Sequence, residues 1–530
     1  MVRAMTLRDV SPELAGLRGF FEIAETCPDR LAVVDMLPDG RSTRYGELRG
    51  LVDRISNGLV RLGVEPGDPV VVVLPNGLDF VAFQLATLQI GAYLVPVNWH
   101  FTAEEIAYIL GDCGARVVVT AAPYGRAVHR AAERAGTEHR FATAAGVLGF
   151  RDLDELLGDD TPPADRRMGS MMLYTSGTTG RPKGVRRRII DITPEELHTI
   201  LMRKTYRHFG LVPGDEVHLV ASQLYHSAPY AHALMSLNLG HAVIAPERFE
   251  PVAALELIER FGVTNTFMVP TMFHRLLALP AEERERHALS TLTRVFHSAA
   301  PCPPAIKESM MRWLGEILYE YYGSTEAAVA TFVGPREWRE RPGTVGRAVE
   351  GMEIRILSED GQELPPGESG LVYVRGVARF EYHRDPGKTR SAMRDRLYTP
   401  GDIGYLDEDG YLFLRDRRTD LIISGGVNIY PAEIEAALME HPSVADVAVI
   451  GVPDPEWGHR VVALVQPSPG ARPGDALTRA LLEHCETRLA RLKHPRQFEY
   501  RATLPRTATG KLSRSRLRAE FTGGGPSRHP

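Results

Sequence analysis

At 530 residues, with 44% hydrophobic and 24% charged, the chain has the makeup of a globular protein long enough for several domains, and a formal net charge of -5 excludes the basic excess of a nucleic-acid-binding domain. Its 4 cysteines, Cys27, Cys113, Cys302 and Cys485, stand far apart, which suggests neither zinc-ligand spacing nor a disulfide framework and points to a reducing compartment. Residues 1–20 hold no uninterrupted apolar core, and no run of about 20 apolar residues follows, so a cytoplasmic protein without signal peptide or membrane span is expected.

In chain order, apolar runs alternate with helical periodicity: strands over 70–74, 92–97 and 116–120, helices over 80–90 and 103–110. Strands that are apolar throughout belong in largely parallel sheets covered by helices on both faces. The same rhythm returns with strands over 217–221, 241–245, 266–269 and 294–298 and helices over 251–261 and 304–314. After about Met352 the texture shifts to short segments broken by Gly, Pro and Asp, at 353–358, 370–375 and 410–415, which predicts an antiparallel β subdomain. A helix over 431–439, strands over 444–451 and 461–466 and a helix over 477–489 predict a small α+β domain. The tail 522–530, with three glycines and two prolines, reads as disordered.

Between the two βαβ regions lies Tyr174-Thr175-Ser176-Gly177-Thr178-Thr179-Gly180-Arg181-Pro182-Lys183-Gly184-Val185. Glycines let backbone N–H groups approach an anion, hydroxyls add donors, and Lys183 adds a compact charge, so the segment reads as a nucleotide-phosphate loop. It is not the familiar P-loop, because Gly177 and Gly180 are too close together. A flexible surface loop has the same composition and is the alternative on this segment alone. The run Arg186, Arg187, Arg188 that follows is either a solvated face or a lure for a polyanion.

With LYHSAP at 224, HSAAP at 297, YYGSTE at 321, YTPGD at 398, DRRTDLIISGGVNIYPAEIE at 416 and PRTATGK at 505, this loop resembles, in family order and over nearly the whole chain, the adenylate-forming superfamily: acyl-CoA synthetases, aryl-CoA ligases, firefly-type luciferases and peptide-synthetase adenylation domains. The resemblance implies an α/β fold. A large N-terminal domain over 1–418 would hold mainly parallel, helix-covered sheets plus the β subdomain, a small mobile α+β lid would span 419–521, and the tail would be 522–530.

Adenylation asks for cations and oriented donors rather than a general base, since a carboxylate of pKa about 4 is already ionised at neutral pH. By resemblance, Thr175, Ser176, Gly177, Thr178, Thr179 and Lys183 would hold the β- and γ-phosphates of ATP, Thr325 would donate to the α-phosphate, and Glu326 would hold Mg2+. Tyr322 and the turn Ala299, Ala300, Pro301 would flank the adenine, Asp402 would accept both ribose hydroxyls, and Arg417 would reach the ribose or the phosphates. Lys511 would be the adenylation lysine, Thr419 the hinge, and Ser424, Gly425 and Gly426 the close-approach segment for the pantetheine arm of coenzyme A. His226 would gate or line the acyl tunnel or polarise the carboxylate, with Ser227, Ala228, Val269, Pro270 and Gly323 lining the pocket.

Two positions depart from the family pattern: Thr419 where Asp or Lys is usual, and Pro400 where Thr is common. Acetyl-CoA synthetases place a Trp wall where this chain has Gly323, so an acid larger than acetate is expected, apolar and of medium length, aryl or polycyclic. The 224–232 run has no Asp for an α-amino group, which argues against peptide-synthetase chemistry. The leading reading is an ATP-dependent acyl-CoA synthetase. An acyl-AMP ligase serving a separate carrier protein, a specialist in one half-reaction, a luciferase-like oxygenase and a non-catalytic acyl-nucleotide sensor stay open as alternatives, as does a homodimer.

Overall fold

The computed structural model describes residues 11–37, 40–175, 182–376, 379–417, 420–424, 427–455, 457–506 and 512–522; at 204, 416, 417, 427, 428, 492, 515 and 522 only the backbone is described. The first βαβ region builds a sheet ordered Phe380–Tyr382, Lys183–Arg187, Ser170–Thr175, Tyr93–Pro96, Pro69–Val73, Val117–Thr120, His139–Ala142, Arg151–Asp152. Its centre is parallel, and Val70 through Val73 have no exposed surface, as continuous β-branched runs require when both faces are covered.

A second, larger sheet places Leu31–Asp35, Ala242–Ala245, Val217–Leu219, Asn265–Met268, Arg294–His297 and Leu318–Ser324 side by side and parallel. It then continues antiparallel through Ala328–Val333 and Thr344–Ala348 into Tyr411–Arg417, Asp402–Leu406 and Gly370–Arg375. The β subdomain is therefore joined to the large sheet by main-chain pairing. Ala328–Val333 and Thr344–Ala348, the two strands that make this join, carry no strong apolar alternation of their own.

The helix Leu78–Gln89 is apolar nearly all round, which a helix can be only when buried. It packs with Ala32, Val33 and Val243 of the larger sheet and with Val70, Val72 and Leu94 of the other. Each such fully buried side chain contributes roughly 1.5–3 kcal/mol. Helix Ala103–Cys113 starts at a capping box between Thr102 and Glu105 and stops at Gly114 with φ 70°.

The C-terminal part has its own three-stranded sheet, in which Val444–Asp454 pairs antiparallel with Gly458–Pro467, and Gly458–Pro467 pairs parallel with Gln497–Tyr500. Helices Pro431–Met439 and Asp475–Glu486 share its core. The final helix, Arg514–Thr522, is mostly polar; it buries Leu517 and packs Phe521 against the C-terminal sheet, and ion pairs from Arg514 to Asp420 and Glu435, and from Arg518 to Asp420, add to its anchoring. Thr522, placed by the sequence reading in the disordered tail, is thus the last residue of a helix, while the rest of that expectation, 523–530, lies outside the described residues.

Candidate nucleotide and acyl site

Adjacent parallel strands line up their C-terminal ends. Beyond Val217–Leu219 the chain leads to His226, beyond Asn265–Met268 to Val269 and Pro270, beyond Arg294–His297 to Ala299, Ala300 and Pro301, and Leu318–Ser324 ends in Gly323 to Glu326. This edge is where ligands bind in open α/β sheets. The turn Ala299 to Pro301 is exposed or half-exposed, and Ala299 holds φ 75°, a left-handed conformation that costs an alanine energy and is characteristic of ligand-binding turns.

Tyr322 and Asp402 meet directly, the Tyr322 hydroxyl donating to Asp402 Oδ2 over 2.5 Å. Asp402 is also the register partner of Arg417 across its hairpin, which brings the backbone of the two expected ribose residues together. Ser324 Oγ donates to the Tyr398 hydroxyl at 3.4 Å and accepts from Ala327 N at 3.0 Å, tightening the turn that carries Thr325 and Glu326.

The segment expected to hold phosphates is flanked by a hairpin. Ser170–Thr175 and Lys183–Arg187 pair antiparallel, ending at Thr175 opposite Lys183, and residues 176–181 between them lie outside the described residues. Phe380–Tyr382 adds along the outer edge, with Tyr382 opposite Val185 and Phe380 opposite Arg187. Through this edge strand the Tyr382 hydroxyl reaches Glu326 Oε1 at 2.8 Å, and Lys183 Nζ lies 5.4 Å from the Tyr382 ring centroid. Burial, then the Glu326 charge, pushes the hydroxyls of Tyr382 and Tyr398 above the ordinary phenol range, so both remain O–H groups. Burial, with Lys388 nearby, lowers the pKa of Lys183.

Tyr382 and Arg187 belong to the cluster; sequence reasoning missed Tyr382 and named Arg187 only within the 186–188 run, without a role of its own. Tyr382 lies in no quoted motif and arrives by pairing with a strand about 200 residues earlier. For Arg187 a signal did exist: along Lys183–Arg187, strand alternation sends Lys183, Val185 and Arg187 to one face.

On the acyl side, His226 is the N-cap residue of helix Ser227–Asn238, and His226, Ser227 and Ala228 are half-buried at its start. Val269 is buried, and Pro270 opens the helix Pro270–Leu277. Deeper along Ser227–Asn238, His232 stands among Phe209, His218, Phe267, Phe296 and Tyr321, with the Tyr321 hydroxyl 3.4 Å from its Nε2. Gly323 has a structural reason of its own: a Cβ there would stand 1.8 Å from the Ala328 carbonyl oxygen, across the irregular pairing of the two strands. Backbone approach alone excludes any larger residue at 323 in this conformation.

Ser424 is buried at the end of Ile422–Ser424, paired with Val427–Ile429. Ser176, Gly177, Thr178, Thr179, Thr419, Gly425, Gly426 and Lys511 lie outside the described residues, and the Arg417 side chain is likewise not described.

Comparison with known proteins agrees with this geometry. The family "AMP-binding enzyme" matches residues 20–381, and "AMP-binding enzyme C-terminal domain" matches 433–511. The chain is 35% identical to a feruloyl-CoA synthase of Amycolatopsis sp, covering 91% of this chain and 94% of the other. It is 32% identical to the fatty acid–[acyl-carrier-protein] ligase ScoC of Streptomyces coeruleorubidus, covering 92% and 93%. Among solved structures, the o-succinylbenzoate CoA synthetase MenE from Bacillus subtilis, in complex with its acyl-adenylate intermediate, matches with a TM-score of 0.78 and 27% identity, over 95% of this chain and 98% of that one.

The chain belongs to the AMP-binding enzymes, the adenylate-forming superfamily. Within it, the activity is that of an ATP-dependent acid–thiol ligase of acyl-CoA synthetase type: a carboxylate is activated as acyl-AMP and transferred to the thiol of coenzyme A.

Proposed function

We propose that the acid is larger than acetate, apolar, and aryl or of medium length, and that the residues gathered around Glu326 carry its adenylation. The observation that supports this most is the convergence around one turn: Tyr382 fixes Glu326, Lys183 stands over Tyr382, and Tyr322, just before the turn, fixes Asp402 of the β region. Small residues at the head of the 227–238 helix suit a flat or extended chain, and feruloyl-CoA synthase is the name carried by a relative at 35% identity.

In the first half-reaction a carboxylate oxygen of the acid attacks the α-phosphorus while the bond to pyrophosphate breaks. Thr325 and Lys511 would face the α-phosphate, Lys183 and the 175–179 loop the leaving phosphates, and Asp402 the ribose. Glu326 fits a magnesium ion, being a hard oxygen donor already oriented by a phenol. Bound there, magnesium would supply charge neutralisation at the triphosphate. In the second half-reaction the coenzyme A sulfur attacks the acyl carbon, AMP leaves, and the 419–521 domain turns about Thr419 to bring Ser424, Gly425 and Gly426 to the pantetheine arm. His226 lines the acyl entrance.

Among the described residues no helix is long and apolar enough to cross a membrane. A cytoplasmic location fits the cysteine usage. One second reading has a specific support: similarity to ScoC favours a carrier-protein thiol as an alternative acceptor. The test is a panel of carboxylic acids with Mg-ATP and either coenzyme A or a phosphopantetheinylated carrier protein. Thioester formed on coenzyme A with aryl or medium-chain acids supports the proposal, whereas thioester on the carrier protein alone assigns the second reading.

A further inference from the structure

The arginine run after the phosphate loop does not act as a unit. Arg186 lies 4.5 Å from the Tyr93 ring centroid and reaches the Gly67 carbonyl at 3.4 Å, and Arg188 is exposed. Arg187, on the opposite face of the strand, donates from Nη2 to the Thr325 carbonyl at 2.8 Å. Its own backbone is held on two sides, by the Tyr93 hydroxyl on its carbonyl at 2.5 Å and by Phe380 across the sheet. Arg187 is half-buried, and a cation partly withdrawn from water is costly unless partnered. Burial lowers the Arg187 pKa, and the Glu326 charge works against that shift without cancelling it. Arg187 remains charged, and a planar guanidinium with five donors can hold a carbonyl and still present N–H groups to an anion.

We propose that Arg187 is a positioning residue for adenylation: it grips the Thr325 carbonyl so that the Thr325 hydroxyl and the Glu326 carboxylate are presented to the triphosphate, and it adds a fixed positive charge beneath them. This rests on the roles given to Thr325 and Glu326 above. Arg187 belongs to the same sheet as Lys183, so its contribution is present before the C-terminal domain delivers Lys511.

The experiment compares Arg187→Met, Arg187→Lys and Glu326→Gln in three measurements: calorimetric binding of α,β-methylene-ATP with magnesium, ATP–pyrophosphate exchange, and attack of coenzyme A on a supplied acyl-adenylate. Arg187→Met is expected to weaken nucleotide binding about 10-fold and exchange about 100-fold, the size of losing one charged donor in a preorganised site, with a far smaller loss in the thiol step. Arg187→Lys should recover binding, which follows charge, more than exchange, which follows carbonyl geometry. Wild-type exchange in either Arg187 variant overturns the proposal, and so does an equal loss in both half-reactions. If Arg187→Met does not fold, the Lys variant decides by the same criterion. Unchanged nucleotide binding and exchange in Glu326→Gln would instead remove the reading of Glu326 on which the proposal stands.

Discussion

The hydroxyl of Tyr322 donates to Asp402 Oδ2 at 2.5 Å, joining the end of the parallel sheet to the β region. A carboxylate fixed in this way presents its remaining lone pairs in one orientation, which a ribose diol needs. Tyr322→Phe removes the donor and keeps the ring. About 1.5 kcal/mol of positioning is expected to go, roughly a tenfold rise in KM for ATP with little change in melting temperature. Steady-state kinetics with varied ATP checks this, and an unchanged KM would separate Asp402 from the ribose.

Loss of Lys511 should divide the two half-reactions completely. Lys511→Ala is expected to abolish ATP–pyrophosphate exchange while attack of coenzyme A on a supplied acyl-adenylate persists. Equal loss of both activities would contradict its assignment to the adenylation step.

Gly323 separates backbone demand from pocket shape. Because a Cβ would meet the Ala328 carbonyl at 1.8 Å, Gly323→Ala is expected to destabilise the fold by about 2–3 kcal/mol whatever acid is used. Denaturant unfolding of the substrate-free protein measures this directly. Full stability with an altered acid preference would assign the position to the pocket instead.

Acid should unfold the protein through its buried histidines. Burial brings the pKa of His218 and of His241 down to about 4, even though His218 Nδ1 donates to Asn265 Oδ1 at 2.7 Å, a bond that works against the shift. The folded values are depressed, so the unfolded chain takes up protons first as pH falls below about 6.5. Their stabilising contribution is complete above that pH and is lost between about 6.5 and 4, roughly 3 kcal/mol for each ring. Thermal melts at pH 7.5, 6 and 5 should show a steep fall; equal melting temperatures at 7.5 and 5 would contradict it.

Much of the fold was legible because burial leaves a periodic trace. The helices Pro251–Phe261, Pro304–Leu314 and Pro431–Met439 have the expected bounds, each opened by a proline that suits a first helical turn. The apolar strands differ from expectation by at most three residues at their ends, the largest differences being in Val444–Asp454 and Gly458–Pro467. Glu326, Asp402 and Tyr322 were legible through motifs. Tyr382 was not, since its place depends on edge pairing between Phe380–Tyr382 and Lys183–Arg187, a long-range contact with no local pattern. The helix Arg514–Thr522 was hidden because Leu517 and Phe521 are too few inward-facing apolar residues to make a periodic signal, and its ion pairs to Asp420 and Glu435 leave none.

The most direct measurement of the central claim is mass spectrometry of the products formed from Mg-ATP and an aryl carboxylic acid, with and without coenzyme A. The expected result is acyl-AMP and pyrophosphate without coenzyme A, and acyl-CoA with released AMP in its presence. Acyl-AMP that persists unchanged when coenzyme A is added, or nucleotide that binds without any pyrophosphate release, would contradict it.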